Sequence, residues 1–236
     1  MSSTAYLFDY GGTLDTAARH WFYVLHEGFR EAGLSLADAD FRPAYVFAER
    51  ALARHPYIRP TDDFLDLLRK KTMLEVEYLR QHTSLLPDSL AATGELADRV
   101  ALYCDNYARR HVQASAHVLA QLAESHPLIV VSNFYGNLPT ILRTYGIDRY
   151  FQAVVESATV GVRKPNPEIF RLGVAASGCS AEQCIAVGDS YTKDILPAHE
   201  LGCQTIWFKG KEWEEVERDE SIPNRVITSL EEILEG

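Results

Sequence analysis

The apolar run Tyr6-Leu7-Phe8 ends in Asp9, and Gly11, Gly12 and Thr13 follow closely. A short strand that delivers a carboxylate to a sheet edge, then turns through glycine, presents that carboxylate as a nucleophile. Further along, Val130-Val131 stops on Ser132 and Asn133. Ile185-Ala186-Val187 stops on Gly188 and Asp189, and Asp194 comes five residues later. Arg163-Lys164-Pro165-Asn166-Pro167 sets a lysine just ahead of a helix that Pro167 can start. In a doubly wound sheet the carboxyl ends of neighbouring strands converge on one crevice. Three carboxylates, a lysine and a hydroxyl meeting there suit a hard divalent cation and a phosphoryl group. Singly these residues are ordinary, since a strand-ending Asp is commonly a helix cap and Ser-Asn is turn chemistry. Their joint order along the chain carries the reading.

The elements that must position them alternate from about residue 115 onward. The pattern predicts helix over 114–124, strand over 127–131, helix over 137–145, strand over 151–155 and helix over 167–177. Strand follows over 184–187, helix over 192–201 and strand over 205–208, and a last helix over 229–234 has Ser229 as its N-cap before Glu232. Short continuous apolar strands separated by such helices predict an α/β fold, a doubly wound, Rossmann-like parallel sheet covered on both faces. The stretch from 16 to 113 reads differently. Trp21, Val24, Leu25 and Phe29 recur at helical spacing, as do Phe64, Leu67, Leu68 and Leu74, with no strand pattern between. The expected organisation is a core domain of residues 1–15 and 114–236 with an inserted all-helical cap domain of residues 16–113.

A chain of 236 residues suits one large domain or a core with an insert, and 47% hydrophobic residues leave enough for a sizeable core. A net charge of −10 argues against a nucleic-acid or anionic-membrane surface. No run approaches the roughly 18 apolar residues of a membrane span. Cys104, Cys179, Cys184 and Cys203 form no CxxC pair, which fits reduced thiols in a cytoplasmic protein. Asp9 falls too early for a signal peptide. The charge-dense run 212–220 reads as solvated surface.

The segments FDYGGTLD, VVSN, VRKPNPEIF and VGDSYTKDI span nearly the whole chain and resemble the four motifs of the haloacid dehalogenase (HAD) superfamily. The last two resemble its helical-capped, phosphatase-like branch in particular. The resemblance implies a Mg²⁺-dependent phosphohydrolase acting on a small phosphorylated metabolite, as a monomer or homodimer. It implies that Asp9 attacks phosphorus and forms an aspartyl-phosphate, that Ser132 hydrogen-bonds a phosphoryl oxygen, and that Lys164 neutralises the transferring group. Mg²⁺ would be held by Asp9, by the backbone carbonyl of Gly11 and by Asp189, with Asp194 binding through water or orienting Lys164. Gly11, Gly12 and Asn133 would cradle the phosphate.

Phosphatases that this chain resembles usually carry a second Asp where it has Gly11; that Asp protonates the leaving oxygen and then activates water. Gly11 keeps the carbonyl that the metal uses and has no proton to give. A positioned acid or base commonly contributes about 10²–10⁴-fold in rate. Asp15 and His20 are candidates to replace it, against the simpler readings of Asp15 as a cap of the first inserted helix and His20 as packing beside Trp21. A phosphonate hydrolase needs a cap lysine, and Lys70 and Lys71 read as a solvated helix face. A dehalogenase has no metal, which Asp189 and Asp194 oppose. A weakly catalytic protein that binds a phosphorylated ligand or partner stays open. Arg42, Tyr45, Arg50, Arg54, His55 and Arg59 are either substrate-facing cap residues or side chains lying along helix surfaces.

Overall fold

The computed structural model describes residues 4–86, 90–214 and 216–235. Among these residues six strands form one all-parallel sheet in the order β3-β2-β1-β4-β5-β6. They are β1 Ala5–Phe8, β2 Leu128–Ser132, β3 Ala153–Glu156, β4 Cys184–Gly188, β5 Gln204–Phe208 and β6 Arg225–Ile227. Every residue of β1 and β2 is buried, as continuous apolar strands require when both faces are covered. Leu7 lies opposite both Ile129 and Ala186, so β1 is an inner strand, one of the middle pair with β4, and Asp9 leaves the sheet between the ends of β2 and β4.

Side chains alternate across the sheet and divide the core in two. Tyr6, Phe8, Val130 and Val187 pack on the face shared with the inserted helices. Leu7, Ile129, Val131 and Ala186 pack on the other, against Ile169 and Phe170. Those two residues belong to α7, and the helices run α1 Trp21–Glu31, α2 Asp38–Arg54, α3 Phe64–His82, α4 Leu90–Ala123, α5 Leu138–Thr144, α6 Ser157–Val160, α7 Glu168–Ser177 and α8 Leu196–Glu200. All of α1–α4 lies between β1 and β2 in the chain. Their apolar stripes meet in one cluster that includes Phe22, Phe29, Phe41, Leu68, Val76 and Val100. No described helix is long and apolar enough to cross a membrane.

Several local expectations differ from the structure. Helix over 114–124 is the last third of α4, so the division placed at 113/114 falls inside an unbroken helix. The single helix expected over 192–201 is one π-helical turn, Tyr191–Ile195, followed by α8. Such turns recur at functional sites, and this one carries Asp194. Strand β6 is three residues, two of them only half-buried; its pairing with β5 holds it, with Val226 opposite Trp207, rather than any pattern of its own. The N-cap of α1 is His20, whose Nδ1 accepts the Phe22 N–H at 3.2 Å, and not Asp15.

The solvated reading of 212–220 fails at Trp213. Its ring stacks on Tyr45 at 5.4 Å and meets the Phe22 edge at 5.2 Å, with the Arg42 guanidinium 4.0 Å above it. Just upstream, the Lys211 carbonyl accepts the His20 N–H at 2.9 Å. The segment after β5 therefore reaches across to α1 and α2. Val216, three residues on, is exposed.

Candidate active site

The strand ends bring Asp9, Ser132, Lys164, Asp189 and Asp194 together. Asp9 Oδ1 accepts from Ser132 Oγ at 3.1 Å and from Lys164 Nζ at 2.6 Å. Lys164 also donates to Asp194 Oδ1 at 2.5 Å, and Asp194 Oδ2 accepts the Ser190 N–H at 2.9 Å. One oxygen of Asp9 is thus fixed by two donors, and among the described residues Oδ2 has only a long 3.5 Å contact from Thr13 Oγ1. Ligand atoms of Asp9, Asp189 and Asp194 all lie within 4.8 Å of one another.

Two glycines make this spacing possible. Gly12 has φ +103°, and a Cβ there would stand 2.6 Å from the Asp189 carboxylate. A Cβ on Gly188 would run into Asp194. Thr13, inside the first motif but given no role from the sequence, holds Asp189 at both ends. Its Oγ1 donates to Oδ1 at 2.9 Å and accepts the Asp189 N–H at 3.0 Å.

Two buried carboxylates, Asp9 and Asp194, and the half-buried Asp189 against one lysine leave an excess of negative charge. Burial lifts Asp189 well above the usual carboxylate range, with Asp9 and Asp194 adding to it; Thr13 and Lys164 oppose only in part. Burial also raises Asp194 to about 6 despite the pull of Lys164. For Lys164 burial works the other way, but Asp194 and Asp9 outweigh it and keep the ammonium protonated. An all-oxygen donor set carrying more negative charge than its lysine can balance fits a hard divalent cation such as Mg²⁺.

The remaining expected residues are placed as follows. Gly11 and Gly12 line the same cavity, of about 1090 Å³. Asn133 also lines it, but both ends of its amide bind the backbone of Lys164, at 3.0 and 2.8 Å. It braces the lysine. Asp15 is fully buried and accepts from the Gly12 N–H at 2.7 Å and Trp21 Nε1 at 3.0 Å. It therefore ties the loop after Asp9 to α1; burial lifts its carboxyl to about 7, against those two donors. His20 lines the cavity with its ring against Tyr45 and Trp213. Burial first, and Lys193 next, hold it down to about 4, so the imidazole is neutral near pH 7.

Among the cap candidates, Tyr45, Arg50, Arg54 and His55 line the cavity, whereas Arg42 lies over Trp213. Arg59 is outside the lining, and its backbone N–H binds Asp62. The solvated reading of the lysines holds only in part. Lys70 is one-third exposed and pairs with Asp62. Lys71 is 5% exposed, pairs with Glu49 and lines the cavity with it. It lies one turn from Leu67 and Leu68, on the buried side of α3.

Fold and site together define a doubly wound α/β protein with a carboxylate-rich crevice at the carboxyl ends of its central strands. The family model of the haloacid dehalogenase-like hydrolases matches residues 4–202, and the chain belongs to that family of hydrolases. It is 30% identical over 141 residues to the Rhythmically expressed gene 2 protein of Drosophila melanogaster, covering 53% of this chain and 54% of that one. It is 36% identical over 90 residues to a glyceraldehyde 3-phosphate phosphatase of Pyrococcus furiosus, 38% of each chain. The chain thus matches about half the length, or less, of these relatives. Among solved structures, the magnesium-bound HAD-hydrolase YfnB of Bacillus subtilis aligns with 100% of this chain and 98% of its own, at a TM-score of 0.57 and 19% identity. CbbY of Rhodobacter sphaeroides, in complex with phosphate, aligns with 98% and 96% at a TM-score of 0.56 and 21% identity. These likenesses speak for the fold.

Proposed function

We propose that the chain is a Mg²⁺-dependent phosphohydrolase acting on a small phosphorylated metabolite. The observation that carries this is the shared grip of Ser132 and Lys164 on one oxygen of Asp9 at the end of an open cavity. That grip holds the carboxylate in one orientation and leaves its other oxygen less engaged, as a nucleophile needs. In this reading Asp9 attacks phosphorus as the bond to the leaving oxygen breaks, and water then cleaves the aspartyl-phosphate to release inorganic phosphate; Ser132 and Lys164 take phosphoryl oxygens as negative charge develops, and Asn133 keeps Lys164 in place. Asp9, Asp189, Asp194 and the Gly11 carbonyl would hold Mg²⁺, which supplies charge neutralisation to the phosphoryl oxygens. Relatives named as glyceraldehyde 3-phosphate and phosphoserine phosphatases support the substrate class. Among the described residues no disulfide joins Cys104, Cys179, Cys184 or Cys203, which supports a cytoplasmic location.

Gly11 sets the chemical signature of the reading. With no carboxyl at that position, esters whose leaving oxygen needs little protonation react best. An aryl phosphate is expected to turn over with Mg²⁺ roughly 10²-fold or more faster than an alkyl phosphate. Asp9→Asn is expected to abolish both activities. If neither ester turns over and Asp9→Asn changes nothing, the hydrolase reading is lost, and the second reading favoured by Gly11, a binder of phosphorylated ligands, takes its place.

A further inference from the structure

The cavity that ends at Asp9 has a second polar centre on the wall built by α2 and α3, and the chemistry proposed above does not use it. Glu49 stands there with its side chain 36% exposed. Behind it Lys71, whose side chain is 6% exposed, pairs with one carboxylate oxygen, and Tyr135 Oη donates to the other at 2.9 Å. Burial alone would raise the Glu49 carboxyl, but the Lys71 charge and the hydrogen bonds from Lys71 and Tyr135 bring it below its usual value. A ligand at this wall therefore meets an ionised carboxylate whose charge is already balanced from behind, not a free ammonium.

That arrangement discriminates. A carboxylate-bearing ligand would face Glu49 first and find no attraction there, because Lys71 has already committed its charge to Glu49. Lys71, Tyr135 and Tyr45 all hydrogen-bond the Glu49 carboxylate, which leaves about one of its four lone-pair sites for an incoming O–H donor. The rings of Trp21, Tyr45 and Phe64 line the same cavity and offer apolar surface to a carbon skeleton. Arg50 and Arg54 also line it, and an acidic ligand would have to use them instead. We propose that Glu49 and Lys71 select a polyhydroxylated leaving group, so that the substrate class is a phosphorylated polyol or sugar rather than a phosphorylated carboxylic acid. This rests on the phosphohydrolase reading.

The test uses non-hydrolysable phosphonates, so it does not depend on turnover. Affinities of the whole protein with Mg²⁺ are measured by calorimetry for dihydroxybutylphosphonate, butylphosphonate and carboxypropylphosphonate. The dihydroxy probe is expected to bind about tenfold tighter than the butyl probe, the worth of one or two good hydrogen bonds. That ratio is expected to fall to near one in Glu49→Gln, which keeps the side-chain shape, and in Lys71→Met. Strongest binding of the carboxy probe would overturn the proposal, as would a ratio that survives in Glu49→Gln. Turnover of an aryl phosphate by the unaltered protein is followed in parallel. Its absence would sink the hydrolase reading alone, because the probe ratio still decides what the wall selects.

Discussion

Among the described residues a Cβ at Gly11 would meet no atom within 4 Å, and its backbone lies outside the left-handed region, so a side chain can start there without backbone strain. If the proton carrier is what this site lacks, Gly11→Asp raises turnover of alkyl phosphates by about 10²–10⁴-fold. Unchanged alkyl turnover would mean that another group already moves the proton, or that the site does not hydrolyse these esters. A second residue links the cap to pH. Glu75 is fully buried one turn from Lys71, and neither carboxylate oxygen has a partner among the described atoms. Burial lifts it from 4.5 to about 8, with Lys71 opposing and Glu49 reinforcing. A folded value above the unfolded one means that its contribution to stability is complete below about pH 4.5 and is lost as pH rises through about 8. Within that window the unfolded chain binds fewer protons, and stability falls with pH by up to about 1.4 kcal/mol per unit. Glu75→Gln removes this slope. The thermal midpoint of the variant, relative to the parent, is expected to climb between about pH 5 and pH 8; parallel profiles would refute it.

At the scale of elements, two helical glycines answer the same substitution with opposite signs. Gly173 on α7 faces the sheet, where a Cβ would stand 2.6 Å from Val131 Cγ2 and 3.5 Å from Leu7 Cδ2. Alanine gains about 1 kcal/mol of helix propensity there, but forcing a methyl against a central strand costs about 1–3 kcal/mol. The clash wins, and Gly173→Ala is expected to destabilise by about 1 kcal/mol. Among the described residues Gly94 on α4 has only Met73 Cε at 4.0 Å, so the propensity gain stands alone and Gly94→Ala is expected to stabilise by roughly 0.5–1 kcal/mol. Denaturant titration reads both, and equal signs would contradict the packing argument. Element types were legible for the same reason that these signs are predictable. Strands β1, β2, β4 and β5 are buried apolar runs, and α1 and α3 carry their apolar residues at helical spacing. Strand β6 and the π turn lacked such a signal, because neighbouring strands and Asp194's position impose them.

For the whole molecule, the join between insert and core depends on a segment far away in the chain. Trp213 sits among His20, Phe22, Tyr45 and Arg42, and Lys211 takes the N–H of His20. Trp213 is half-buried, so Trp213→Ala removes those ring contacts at an expected cost of about 1–3 kcal/mol. It should also speed amide exchange in the first turns of α1 and the middle of α2 more than in β1. Uniform exchange across the molecule would show that Trp213 is only surface packing. A solvated reading of its neighbourhood was reasonable from sequence, because eight residues of mostly acidic and basic character surround one ring. What the ring packs against is supplied by α1 and α2, which come before the second strand of the sheet.

Local pattern alone determined the doubly wound sheet, the helical insert after the first strand and the candidate residues at the strand ends. Apolar runs that stop on Asp9, Ser132 and Asp189 state both the strand and its polar terminus, and parallel topology then gathers those termini at one edge. Only the tertiary structure decided that Thr13 holds Asp189, that Asn133 braces Lys164, and that Lys71 lies buried behind Glu49. Helical periodicity says which residues share a face, not what that face meets. A lysine on the inner side of α3 reads as solvated until the helix carrying Glu49 is packed against it.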